Sequence, residues 1–199
     1  MAREAAGFSS GQLMLDGFEQ PRPTDNLFFA LLPDEAAAER LIVLGESLRR
    51  GHRLSGELLA ERLHVSLIGF KPIYNWVPEK VLLAEKIGNA VRFPSFEVRF
   101  DRALSFAGRS NGGKKRSSAF VLRAAEGNPG VVGLSYALAG GVPQGPVTPH
   151  LTLLYDGRTV VEHEIEPIGW RAREFALVRN RLGTGLPYEV LGRWPLIGA

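Results

Sequence analysis

Two short segments of this chain repeat one pattern: a histidine, an aliphatic residue, a hydroxyl residue and a leucine. Residues 64–67 read His-Val-Ser-Leu, and residues 150–153 read His-Leu-Thr-Leu. Both lie in runs rich in β-branched and large apolar residues, which predicts a β-strand in each case. Because side chains alternate between the two faces of a strand, each segment places its histidine and its hydroxyl on one face. The chain has 4 histidines, so the recurrence of this frame requires an explanation beyond two unrelated strands.

The two segments close a larger repeated unit. In the first half, an apolar run at 27–32 predicts a buried strand, and the apolar spacing over 33–51 predicts an amphipathic helix. In the second half, residues 119–122 predict a strand, and residues 128–141 predict a helix that ends at a glycine pair. Both halves therefore run strand, helix, loop and histidine-bearing strand. We expect the two copies to lie around a pseudo-twofold axis, with the two histidines facing each other across the junction.

Other segments extend this pattern. Pro78 suits the first turn of a further helix. Leu83, Ile87 and Val91 share one face of that helix and predict its buried side. Three more strands are predicted at residues 96–106, 170–179 and 188–194.

Composition bounds the class of protein. Hydrophobic residues make up 45% of the chain and charged residues 23%, as in ordinary globular domains. No apolar run approaches the length of a membrane span, and Glu4, Asp16 and Glu19 interrupt the first residues, so we expect neither a membrane segment nor a secretory signal. The chain has no cysteine, which excludes disulfides and thiolate chemistry and suits a cytoplasmic protein. The net charge of +3 permits an anionic partner without establishing one.

A glycine-rich basic loop at 108–118 invites comparison with a phosphate-binding P-loop. Gly108, Gly113 and Lys114 reproduce the spacing, but Lys115 stands where serine or threonine normally holds magnesium. The residues that follow predict a strand, whereas a P-loop opens a helix. We therefore reject nucleotide hydrolysis and expect a solvated hairpin tip, with attraction of nucleic-acid phosphate as the alternative.

Paired histidines with adjacent hydroxyls favour acid-base chemistry on an anion. A metal site normally takes a third ligand, and the nearest carboxylates, Glu61 and Asp156, lie outside the two motifs, so we expect no metal and no cofactor. A Ser-His-Asp triad fits poorly, because His64 and Ser66 share a strand face without a nucleophile elbow. Two imidazoles with pKa values near about 6.5 can transfer protons in concert at neutral pH. Four donors around two non-bridging oxygens suit a phosphodiester better than a carboxylic ester.

These motifs resemble those of the two-histidine phosphoesterase superfamily, and specifically the bacterial RNA 2′,3′-cyclic phosphodiesterases, first described as 2′-5′ RNA ligases. The similarity spans residues 26–196 and includes residues 27–30, both His-x-Ser/Thr-x motifs and residues 194–196. The resemblance implies an α+β fold with two similar lobes from a duplicated strand-helix-strand unit. Mainly antiparallel sheets would surround a central cleft, with helices outside. We expect residues 1–25 to be a flexible leader and residues 26–199 to form a single bilobal phosphoesterase domain.

The resemblance also implies an activity, metal-independent hydrolysis of RNA 2′,3′-cyclic phosphate ends to 2′-phosphates. It assigns catalysis to His64 and His150 and phosphate binding to Ser66 and Thr152. By analogy His150 is the base and His64 the acid. The implied partners are RNA with such ends or small cyclic nucleotides, with no membrane, and the expected state is a monomer. The alternatives are 2′-5′ RNA ligation by the reverse chemistry and a non-catalytic RNA- or nucleotide-binding module, against which the intact histidines argue.

Two positions depart from the better-known branch of that family. Gly69 stands where an aromatic residue is usual, and Phe70 follows one place later. Tyr155 stands where some members have an arginine. Tyr155 is a candidate substrate contact, by stacking on a base or bonding to phosphate. On strict alternation, however, it faces away from His150 into the core.

The remaining histidines and several aromatic residues have structural interpretations. His52 follows a helix end, where a histidine complements the negative end of the helix dipole. His163 lies in an acidic run that predicts a solvated turn or edge, with metal binding as the less favoured alternative. Aromatic residues in strands are more often core than base-stacking residues, and this interpretation applies to Phe29, Phe106 and Phe120.

Overall fold

The computed structural model describes residues 22–76, 78–106, 117–142 and 148–198. The predicted leader therefore lies largely outside the described residues, and β1 begins at its last residue. A short 3-10 turn, Ala60–Arg62, precedes the first histidine motif. In chain order the elements are β1 (Asp25–Leu31), α1 (Glu35–Gly51), β2 (Val65–Gly69), α2 (Glu79–Ala90), β3 (Phe96–Phe106), β4 (Ser118–Arg123), α3 (Pro129–Leu138), β5 (His150–Asp156), β6 (His163–Ala172), β7 (Glu174–Arg181) and β8 (Glu189–Pro195).

The strands form one open antiparallel sheet in the order β6-β3-β4-β5-β2-β1-β7-β8. The sheet consists of two four-stranded halves that meet where β2 and β5 pair at Val65 and Leu151. Counted outward from this junction, one half runs β2, β1, β7, β8 and the other runs β5, β4, β3, β6. The predicted α+β fold with two similar halves is confirmed, and the two halves share a continuous sheet.

The helices follow local signals and then pack across the junction. The Asp34 carboxylate accepts a hydrogen bond of 2.8 Å from the Ala37 amide and caps the start of α1. Although α1 follows β1, it packs over β6 of the opposite half, where the Arg40 guanidinium donates to the Gly169 carbonyl. In the same way α3 packs on β2. Each half is therefore covered by a helix from the other.

The predicted buried face of α2 is correct for Ile87 and Val91, which pack against the core, and wrong for Leu83. Leu83 is 57% exposed, and the buried residues of the helix are Ala84 and Gly88. The Trp194 ring lies so close that a Cβ at Gly88 would stand 2.5 Å from its nearest ring atom. The indole of β8 occupies the space that larger side chains would need, so α2 approaches the sheet through its small residues.

The two faces of the sheet differ in what they carry. The helix-covered face holds the main core, in which Phe29 and Phe120 are almost fully buried, as predicted. The opposite face carries a small apolar cluster of Ala30, Ala176 and Val178 and the polar residues described below. A helical layer on one face leaves the other face of the junction open for a ligand.

The basic loop falls almost entirely outside the described residues, since 107–116 are not among them. The described chain resumes before β4, so a strand follows this loop, as expected. Among the described residues, no helix is both long and apolar enough to cross a bilayer.

Candidate active site

His64 is positioned by the turn before β2. Its Nδ1 lies 2.7 Å from the Arg62 carbonyl oxygen, and its Nε2 lies 3.1 Å from the Ser66 hydroxyl. A carbonyl oxygen only accepts hydrogen bonds, so Nδ1 carries the proton in the neutral ring. Nε2 then has a free lone pair that accepts from the Ser66 hydroxyl.

His150 repeats this geometry on the other side of the junction. Its Nδ1 lies 2.8 Å from the carbonyl oxygen of Thr148, also two residues earlier in the chain. The same reasoning places the proton on Nδ1 and leaves Nε2 available to a ligand. The duplicated sequence therefore produces two imidazoles in the same tautomer, each held by its own backbone.

The register of the junction brings the two motifs together. Val65 pairs with Leu151 in an antiparallel ladder. This register sets His64 opposite Thr152 and Ser66 opposite His150, within the usual reach of cross-strand neighbours. The two histidines and two hydroxyls thus form a compact square with a histidine at each end of one diagonal.

All four predicted motif residues line a single pocket of about 540 Å³. The structure therefore brings His64, Ser66, His150 and Thr152 together, as their alternation along the strands requires. The pocket also includes Tyr155, Arg62, Tyr188, Asn26 and Asn180 among its lining residues.

Tyr155 reaches this pocket because β5 contains a β-bulge. Phe120 pairs with Leu154, whereas the next residue of β4 pairs with Thr152, so Leu153 is an extra residue in β5. Leu153 and Leu154 are consecutive and both fully buried. The extra residue reverses the alternation, and Tyr155 emerges on the face of Thr152 with 53% of its surface exposed. The placement of Tyr155 in the core, expected from strict alternation, is wrong.

Aromatic rings flank both histidines. The His64 ring contacts both Phe28 and Tyr188, with centroids 5.3 Å and 5.1 Å away, and these two rings also contact each other at 5.5 Å. The His150 ring lies 5.0 Å from Phe106. Phe106 therefore packs beside the pocket rather than in the core. These rings restrict the orientation of the imidazoles and exclude water from their sides.

The surroundings of the pocket alter two pKa values. Burial lowers the pKa of His64, and the nearby His150 lowers it further, against the opposing effect of the Arg62 carbonyl. Burial raises the pKa of the Tyr188 phenol. At neutral pH the pocket therefore favours a neutral His64 and a protonated Tyr188.

Sequence reasoning missed the residues that complete the pocket. Asn26 pairs with Asn180 across β1 and β7. Arg62 donates to the Leu186 carbonyl and stacks over the Tyr188 ring at 5.4 Å. Asn26 could have been predicted from the sequence, because it alternates along β1 with the buried Leu27 and so points to the opposite face of the sheet. The other contacts arise from residues more than a hundred positions away in the chain.

Among the described residues, no group of three or more His, Asp or Glu side chains is arranged to hold a metal ion. The groups that can move protons here are the two imidazoles.

Comparison with solved structures identifies the fold. The chain superposes on E. coli LigT with a TM-score of 0.65 and 23% identity, covering 88% of this chain and 99% of LigT. For E. coli LigT complexed with 3′-AMP the TM-score is 0.64 and the identity 25%, with the same coverage. TT0787 of Thermus thermophilus gives 0.62 and 22%, covering 85% of this chain and 97% of that protein. No protein-family model and no curated protein matches the chain.

The α+β fold with two similar halves that the sequence resemblance implied is the fold of these solved structures.

Proposed function

We propose that this protein is a metal-independent phosphodiesterase that opens 2′,3′-cyclic phosphate ends of RNA to 2′-phosphates. The observation that carries the proposal is the matched pair of imidazoles, each fixed through Nδ1 and each next to a hydroxyl in one pocket. The structure of the neighbour E. coli LigT has been solved with 3′-AMP, a nucleotide whose phosphate is on the 3′ oxygen of the ribose. This supports a nucleotide end as the occupant of the pocket.

The reaction needs one proton removed and one supplied. One histidine accepts a proton from water through Nε2, and the water oxygen attacks phosphorus. The bond between phosphorus and O3′ breaks, and the second histidine, which enters the step as the imidazolium, donates its Nε2 proton to O3′. The product carries a 2′-phosphate and a free 3′ hydroxyl. Each proton transfer typically contributes about 10²–10⁴-fold in rate.

The hydroxyls of Ser66 and Thr152 are assigned to the phosphate. As neutral donors they can each bond to a non-bridging oxygen and stabilise the charge that develops during attack. Ser66 donates to His64 Nε2 in the free protein, so substrate binding would transfer this hydrogen bond from the imidazole to the phosphate. That transfer would free Nε2 for the proton of the attacking water.

The lowered pKa of His64 supports a division of roles. A neutral imidazole is the form that a general base needs, and burial favours that form at His64. We therefore assign His64 as the base and His150 as the acid, the reverse of the roles implied by the family resemblance. When a 2′,3′-cyclic end is joined to a 5′ hydroxyl, that hydroxyl replaces water as the nucleophile and O3′ again leaves, so the two residues keep the same roles.

The test is turnover of a short RNA with a defined 2′,3′-cyclic phosphate end. The expected product is the 2′-phosphate, resolved from the 3′-phosphate by chromatography. Addition of an RNA with a 5′ hydroxyl tests for ligation in the same experiment. Tight binding of the cyclic end without any product would overturn the catalytic proposal in favour of a binding module.

A further inference from the structure

A second pair of histidines lies outside the catalytic pocket. His52 directly follows α1 and His163 is the first residue of β6, 111 positions later. Their Nε2 atoms are 3.3 Å apart, and their ring centroids are separated by 4.7 Å. Both residues line a surface pocket of about 410 Å³. The sequence interpretation treated them as unrelated, so their meeting needs an explanation.

The separation of the two nitrogens matches a tetrahedral metal site. Zinc binds imidazole nitrogen at about 2.0–2.1 Å, and two such ligands at the tetrahedral angle are about 3.3 Å apart. The same separation also lies within hydrogen-bonding distance, so a bound ion would replace a hydrogen bond between the two rings.

The orientation of the rings also suits metal binding. His163 Nδ1 lies 3.1 Å from the Val161 carbonyl oxygen and donates to it, so its Nε2 has a free lone pair. Histidines that bind metals commonly donate their other ring nitrogen to a carbonyl in this way.

The charged residues around this pair are already engaged. Arg158 donates to the Arg53 carbonyl oxygen at 2.7 Å. The Glu162 carboxylate accepts two hydrogen bonds from Arg123. Neither Arg158 nor Glu162 has a hydrogen bond to the Nε2 atoms of the two histidines. The candidate ligands are therefore the two imidazoles.

From this geometry we propose that His52 and His163 bind one divalent cation of the zinc type, with water in the remaining positions. The ion would join the carboxyl end of α1 to the first residue of the edge strand β6, on which α1 packs. Because α1 and β6 come from opposite halves of the chain, the ion would stabilise the packing of the two halves.

This site lies on the sheet face opposite to the catalytic pocket. The His52 ring packs at 6.0 Å against Phe120, which belongs to the core under the helices. Ala119, the next residue along β4, pairs with Tyr155 and therefore points to the pocket side. The proposal is thus independent of the proposed reaction.

The experiment measures zinc binding to the full chain after treatment with chelator. Equilibrium dialysis should give one zinc per chain. At a zinc concentration of 100 times the dissociation constant, the unfolding temperature should rise by about 5–10 °C. His52→Gln and His163→Gln should each abolish this rise, while His64→Ala combined with His150→Ala should retain it.

Two results would overturn the proposal. One is an equal zinc-induced rise in the wild type and in both glutamine variants. The other is the lack of any rise in a wild-type chain whose unfolding is otherwise cooperative. Circular dichroism of the metal-free variants establishes that they fold, so loss of the rise reports loss of ligands. Turnover of the cyclic-phosphate RNA should persist in excess chelator. Failure of turnover would therefore bear on the proposed reaction and leave the zinc measurement unaffected.

Discussion

At the scale of single residues, His64 and His150 form a unit because each supplies one half of a proton transfer. His64→Ala and His150→Ala should each remove most of the turnover, by about 10²–10⁴-fold. The double variant should be little slower than either single variant, since one histidine has no function in the concerted step without the other. Single-turnover rates on the cyclic-phosphate RNA measure this. A fully active His64→Ala would mean that one motif alone is catalytic.

The roles of the two histidines can be separated by changing the leaving group. In a substrate with sulfur in place of O3′, the departing thiolate needs no proton. His150→Ala, which lacks the assigned acid, should then regain most of its lost rate. His64→Ala, which lacks the assigned base, should remain slow. Recovery in His64→Ala instead would restore the roles implied by the family resemblance.

The hydroxyls should contribute less than the imidazoles. Ser66→Ala and Thr152→Ala should each slow turnover by about 10–10³-fold, because each removes one neutral donor to developing charge. The pH profile should keep its shape, since neither hydroxyl titrates near neutrality. Ser47→Ala, on the exposed face of α1, is the matched control and should retain the wild-type rate.

At the scale of elements, the loop that contains Ser55 and Gly56 is hydrogen-bonded to the end of β5. The Asp156 carboxylate accepts hydrogen bonds from the amides of Ser55, Gly56 and Arg158. Gly56 lies so close to β5 that a Cβ there would be 2.1 Å from the Tyr155 carbonyl oxygen. This contact sits beside the bulge and holds the segment that presents Tyr155 to the pocket.

The same cluster gives a pH-dependent contribution to stability. The hydrogen bonds to Asp156, led by that from Arg158, lower its pKa to about 2 from the usual 3.8. The folded state therefore binds the proton less readily than the unfolded state. The resulting stabilisation is full above about pH 4 and is lost as the pH falls toward 2.

Asp156→Asn should accordingly lower the free energy of unfolding by about 2 kcal/mol at pH 7, with a smaller loss at pH 3. Urea unfolding at the two pH values measures the difference. Glu57→Gln, an exposed carboxylate in the same loop, is the control and should change little at either pH. An equal loss at both pH values for Asp156→Asn would show that its charge does not matter.

At the scale of the whole molecule, two histidines resist protonation on opposite faces of the sheet. Burial is the main cause of the lowered pKa at both His52 and His64. Below pH 6.5, which is about the pKa of a histidine in an unfolded chain, the unfolded chain binds more protons at these two sites than the folded chain does. The free energy of unfolding should therefore rise from pH 5 to pH 7 in metal-free buffer.

Urea unfolding across this range measures the rise, and His64→Gln should make it shallower. Above about pH 7.5 both histidines are neutral in the folded and unfolded chain, so the profiles of the wild type and of His64→Gln should run parallel there. A wild-type profile that falls between pH 5 and 7 would contradict the lowered pKa values.

Local sequence determined the repeated unit, the order of the elements and the shared face of each histidine and its hydroxyl. These depend on strand alternation, helix caps and glycine ends, which are properties of neighbouring residues. Within the predicted face of α2, Leu83 is exposed, and the helix instead meets the Trp194 ring through Gly88, which no spacing within the helix reports.

Only the tertiary structure decided which side chains complete the two sites. One extra residue in β5 reverses the direction of Tyr155, and the run of apolar letters does not reveal it. Arg62 and Tyr188 meet at the pocket, and His52 meets His163, across more than a hundred residues. Such contacts form when the two halves pack on one sheet, because packing sets distances that sequence separation does not encode.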